Sequence, residues 1–184
     1  MQFLPIGMKL GGADFSKITR VPAEPATLAG LLIQGKVDAI TTYVTSAMSV
    51  DQAAMQVGKK IRTIPFGRQL EIYNASLFTS DKMIEQHPDL VKRFYAAAIC
   101  SYDKSRKNLD GSIDAMVAQV SGMPRDSQIE LVPFSYKLAF DSPTFKKYGY
   151  KWHAPRVAHT VEIVKEAQAI EKDLTPASFV YEPK

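Results

Sequence analysis

Along the first 66 residues the spacing of apolar side chains switches repeatedly between the period of a helix and that of a strand. Residues 2–11 form a short apolar segment, read as a helix end, closed by Gly11 and Gly12. Asp14, Phe15 and Ser16 make a turn, and Ile18 to Val21 alternate as a short strand does. Glu24-Pro25 suits a first helical turn, where proline forgoes only a hydrogen bond the helix could not make. Leu28, Leu32 and Ile33 give that helix an apolar face, and Gly35 is a natural stop because glycine can take the left-handed conformation that closes a helix. Val37, Ala39 and Ile40 then read as a buried strand running to Tyr43. Residues 45–57 return to helical spacing, Gly58 ends them, and Ile61 to Pro65 reads as a further strand. Helices and strands in alternation predict an α/β fold with a parallel sheet.

The pattern changes near residue 66. Phe66 to Gln69 reads as a connector and Tyr73 to Phe78 as one extended strand. From Asp81 onward the periodicity is helical: a short helix over 81–86, then a longer one from Pro88 to about Lys104. In the longer helix Leu90, Phe94 and Ala98 share a face at i, i+4 spacing. Further helices are predicted at 111–121, 126–138 and 155–171. Helices with apolar faces need a sheet to cover, and this half supplies one strand. No internal repeat or low-complexity segment interrupts the chain.

Composition narrows the class. Hydrophobic residues are 46% and charged residues 23% of 184, the balance of a globular protein and not of a disordered one. The net charge of +4 is scattered and forms no basic arm, which sets nucleic acid aside as a partner. Cys100 stands alone, so no internal disulfide can form, and zinc-ligand spacing is absent. No apolar run approaches the roughly 20 residues needed to span a bilayer, and the first residues lack the basic start and apolar centre of a secretory signal.

Candidate chemistry concentrates after Gly35. The strand from Val37 opens into Thr41, Thr42, Tyr43, Thr45 and Ser46, a run of hydroxyls with one aromatic ring. In open α/β sheets ligands collect beyond the carboxyl ends of the strands, so this run reads as the floor of a small-molecule cleft. Catalytic groupings are thin. His87 precedes Pro88, where a capping role is expected; His153 and His159 are six apart, not at the spacing of a helical zinc pair. Trp152, Tyr148 and Tyr150 form an aromatic cluster expected to serve packing. No nucleophile elbow, phosphate loop or paired-carboxylate motif occurs, and no metal or cofactor is expected.

Three stretches carry a family resemblance: LAGLLIQGKVDAITTY, LFTSDKMIEQHPDLVKRFYAA and KYGYKWHAPRVAHTVEIVKEAQAIEKDLTPASFVY. In that order and spacing they resemble the C-terminal portion of periplasmic solute-binding proteins of ABC importers, from the nitrate/sulfonate/taurine and thiamine-precursor (NMT1/THI5-like) class. The resemblance implies a type II periplasmic-binding two-lobe α/β fold, incomplete in this chain. Residues 1–66 would be most of lobe two, 67–73 a hinge connector and 74–184 the helical remainder of lobe one. The signal peptide, the opening strands of lobe one and the first strand of lobe two would precede the chain. Self-association through the faces so uncovered is expected.

The same resemblance implies a binding protein and no enzyme, located in the periplasm or lipid-anchored outside a Gram-positive cell, with an ABC permease as partner. Its ligand groups would be Thr42 and Tyr43, then Thr41 and Thr45, with Gln69, Tyr73 and Asn74 at the hinge. Tyr43 either stacks a flat ligand or offers its hydroxyl to an anionic one; otherwise it caps the sheet. Asn74 either reaches the ligand or satisfies its own turn. Sulfonate, nitrate, taurine, an aromatic acid or a thiamine-pyrimidine-like molecule all remain open as the solute. Two other readings share the resemblance. A pyrimidine-precursor synthase of thiamine biosynthesis would need a cysteine-rich iron motif, and one cysteine speaks against it. A ligand-sensing effector domain would need a DNA-binding domain ahead of residue 1.

Overall fold

The computed structural model of the protein describes residues 2–73 and 75–183. The chain divides into two compact units: Met1–Ile72 with Ala158–Leu174, and Tyr73–Val157 with Thr175–Lys184.

The first unit is helical. α1 (Leu4–Leu10) begins with proline in its first turn, and it closes where Gly11 N–H donates to the Gly7 carbonyl and Gly12 N–H to the Lys9 carbonyl. α2 (Leu28–Ile33) ends before Gly35, whose φ of 71° is the left-handed conformation expected of a glycine stop. α3 spans Val44–Gln56 and buries Val50 and Ala54. The Lys59 ammonium donates to the Ile33 carbonyl and so ties the end of α3 to the end of α2. Ile6, Leu70 and Ile163 form the buried core, with Phe3, Phe66, Ile72 and Ala167 packed against it. Gly7 lies so close beneath the Phe66 ring that a Cβ on it would stand 2.6 Å from Cδ2. Only glycine allows that approach.

The second unit is built from α4 (Asp81–Gln86), α5 (Pro88–Lys107), α6 (Leu109–Gln119), α7 (Asp126–Phe140) and α8 (Pro143–Tyr148). It also takes the first residues of α9 (Ala154–Gln168), whose remainder belongs to the first unit. Polar caps punctuate it. Ser80 accepts from Met83 N–H, Asn108 from Gly111 N–H and Ser142 from Phe145 N–H, each satisfying a donor that a helix start leaves open. Asp89 in the first turn of α5, with Lys104, Arg106 and Lys107 in its last, match the helix dipole. Phe140 is the hub of an aromatic cluster. Phe145 meets it edge-on at 4.9 Å, Tyr136 lies at 5.3 Å, and the Arg106 guanidinium covers it at 4.6 Å.

The α/β expectation is overturned. Among the described residues no strand forms, so the two-lobe type II binding fold is not what this chain adopts. The described residues of the segments read as strands, 18–21, 37–43, 61–65 and 73–78, carry no ladder. A strand exists only by pairing its N–H and C=O groups with a lateral neighbour, and the alternation that suggested these strands says nothing about whether a neighbour is present. Their side chains follow: Ile64 is 69% and Phe78 97% exposed, where a buried parallel sheet needs both covered. The helical expectations fared better. Helices stand at all the predicted places, with ends shifted by a few residues, and α8 is an addition.

Candidate functional site

The hydroxyl run of the first unit leads into α3 instead of ending a strand. Tyr43 has extended backbone angles and is the residue before the helix, its carbonyl accepting from Ser46 N–H at 3.0 Å and Ala47 N–H at 3.1 Å. Its ring makes no capping bond and is 72% exposed, with Thr42 also exposed and Thr41 and Thr45 half-buried. The reading of Tyr43 as a cap on a sheet falls with the sheet. What remains is an uncovered aromatic ring flanked by hydroxyls at a helix start. Gln69 is exposed in the short turn Gly67–Leu70, which packs on α1, and its Oε1 would lie 3.8 Å from a Cβ on Gly11.

Tyr73 belongs to the second unit and is well anchored there. Its hydroxyl accepts from the His153 backbone N–H at 3.1 Å, and its ring meets Trp152 edge-on at 5.0 Å. The Arg156 guanidinium stands 5.0 Å from the same ring and donates to Thr144 Oγ1 at 2.8 Å. The His153 ring stacks on Tyr148 at 4.3 Å. Tyr73 is thus one wall of a half-buried corner that holds the Trp152 ring and the Arg156 guanidinium, with the His153 backbone bonded to its hydroxyl. Asn74 lies outside the described residues.

The aromatic cluster expected near the last helix is divided. Trp152 faces Tyr73, Tyr148 faces His153, and Tyr150 packs on Phe145 at 5.1 Å while donating to Asp103 Oδ1 at 3.0 Å. Burial, and then that bond to Asp103, raise the Tyr150 phenol above its ordinary value. His87 occupies the capping position of α5, but its side chain makes no capping bond. His159 instead bonds through Nε2 with the Leu70 carbonyl at 2.9 Å. No group of three or more His, Cys, Asp or Glu is placed to hold a metal among the described residues. None of their helices is long and apolar enough to cross a membrane.

Arg156 escaped sequence reasoning, although a signal existed. A cation in the first turn of α9 opposes the helix dipole, and no acidic residue accompanies it there. A charge placed against its own helix needs a specific partner, and Thr144 and the face of Tyr73 supply one.

Residues 4–112 match the family described as NMT1/THI5-like, which is more than half of the chain. The chain belongs to that family, and membership fits a solute-binding or thiamine-precursor theme in general. No curated protein and no solved structure matches it.

Proposed function

We propose that this protein is the solute-binding component of an ABC-type importer, which captures a small polar or anionic solute outside the cytoplasm and hands it unaltered to a membrane permease. Sulfonate, nitrate, taurine and thiamine-pyrimidine-like molecules are the solutes considered. One observation carries the reading: the family match over residues 4–112 encloses the uncovered Tyr43 ring and its flanking hydroxyls, together with Tyr73. An exposed ring beside several hydroxyls can lie against a flat solute while donating to its oxygens. Within the second unit, and as a separate candidate, the Tyr73 corner holds a guanidinium whose planar fork suits oxyanions. The location in the periplasm, or on the outer face of a Gram-positive cell, and the permease partner belong to the same proposal.

Differential scanning fluorimetry against a panel of such solutes tests it, because a ligand bound by the native state alone raises the melting temperature. At least one solute should raise the midpoint, and Tyr43→Ala should abolish the rise without lowering the unliganded midpoint. A panel without effect would count against solute capture; an unchanged rise in the variant would remove Tyr43 from the site.

A further inference from the structure

The second unit carries a groove of about 630 Å³ along one face of α5, lined by none of the residues of the Tyr73 corner. Its floor is apolar and half-buried, from Tyr95 and Ile99 of the helix and Pro183 of the C-terminal tail. Lys92, Lys104 and Lys107 stand exposed on its rim. These helix positions recur every three to five residues from Lys92 to Lys107, along a helix face about 22 Å long at 1.5 Å per residue.

The sign of the groove follows from what its acids do. Asp103, on the same face, accepts from the Tyr150 hydroxyl at 3.0 Å and pairs with Arg106 at 3.4 Å. Glu182, beside Pro183, directs its carboxylate to the Trp152 backbone N–H at 3.4 Å. Both carboxylates keep their charge, but three lysines, with Arg106 paired to Asp103, outnumber them, so an arriving molecule meets a net cationic rim. An apolar floor under a cationic rim fits a molecule with an apolar body and an anionic head. One helix face closed by a single tail residue has the width of one such chain, not of a bilayer surface.

We infer that this groove binds a free anionic amphiphile, its body over Tyr95 and Ile99 and its head between Lys104 and Lys107. The inference is independent of the proposed solute residues, none of which lines this groove, and either can fail alone.

Cys100 lines the same groove, is exposed, and is the chain's single cysteine, so its alkylation reports occupancy directly. The alkylation rate with iodoacetamide should be measured on the 184-residue chain with decanoate below its micelle concentration, with decanol, and with vesicles of anionic phospholipid. Decanoate should slow alkylation roughly tenfold near saturation, as expected for competition with a bound ligand, and decanol should not. Lys104→Gln/Lys107→Gln should restore the rate in decanoate while keeping the helical circular dichroism. Rising salt should weaken the protection in the unaltered protein, a readout that does not depend on how the variant folds. Absent protection, equal protection by decanol, salt-independent protection, or protection by vesicles alone would each overturn the inference.

Discussion

The Tyr73 hydroxyl accepts a hydrogen bond from the His153 backbone N–H at 3.1 Å, joining two residues eighty positions apart just before α9 begins. That bond holds the loop after α8 against Tyr73, and it positions the ring that Trp152 and Arg156 flank. Tyr73→Phe keeps the ring and removes the acceptor. It should cost about 1 kcal/mol of unfolding free energy, the usual net worth of one such bond, while Tyr73→Ala should cost clearly more by also losing the aromatic contacts. Urea denaturation reads both. Equal losses would mean that the ring contributes nothing.

Gly7 beneath Phe66 gives a second test. Alanine improves helix propensity by about 1 kcal/mol, but its Cβ would stand 2.6 Å from a ring packed on the Ile6, Leu70 and Ile163 core. Overpacking of this kind costs about 1–3 kcal/mol, so Gly7→Ala should destabilise despite its propensity gain. Adding Phe66→Leu should recover part of the loss, a coupling expected only of residues in contact. Additive losses in the double variant would contradict the close approach.

The extended segments make the fold itself testable. No backbone acceptor meets the amides of residues 61–64 or 75–79 among the described residues, whereas those within α5 are held by its helical bonds. Hydrogen exchange should therefore be fast in both segments and slow in the middle of α5. Protection of 61–64 comparable to that of α5 would reveal a paired strand and reinstate a sheet.

Why helices were legible in the amino-acid pattern and strands were not follows from where each finds its partners. The helix of Pro88 to Lys107 carries its bonding partners four residues away, its proline start, its acidic first turn and its basic end within one stretch of chain. Gly35 and Gly58 stop helices through their own backbone, with φ near 71° and 72°. The run Val37 to Tyr43 holds none of its partners, so its composition described a strand that nothing beside it completes. Candidate residues divide similarly. Tyr43 and Thr42 stand out as an exposed aromatic and hydroxyl pair in either fold. Arg156, by contrast, acquires meaning only when Tyr73 and Thr144 are brought to it by packing.

Alkaline pH probes the second unit. The folded state raises the Tyr150 phenol, chiefly by burial and then through Asp103, so it holds that proton more tightly than the unfolded chain does. The resulting stabilisation is complete below the unfolded value, near 10, and is lost as pH rises through the folded one. Phenolate absorbance should show a late step that the unfolded chain lacks, and Tyr150→Phe should remove that late step. A late step that survives the substitution would assign it to another ring.

Self-association is proposed through the apolar side chains that the helices leave uncovered, with a second copy of the chain as the partner. Phe78 is 97% exposed, and Leu77 and Phe94 of the same unit are each more than half exposed. Light scattering should return a mass above the 20.4 kDa of one chain, falling toward it in Phe78→Ser. A single-chain mass at every concentration would remove this proposal.

Solute capture without chemistry is the claim on which the functional reading turns, and equilibrium dialysis followed by mass spectrometry addresses it most directly. The protein is dialysed against a mixture of sulfonates, nitrate, taurine and aminopyrimidines, then denatured to release what it holds. The account predicts that one solute is enriched with the protein and leaves with its mass unchanged, and that Tyr43→Ala retains none. Release of a chemically altered product, or retention of nothing from the mixture, would contradict it.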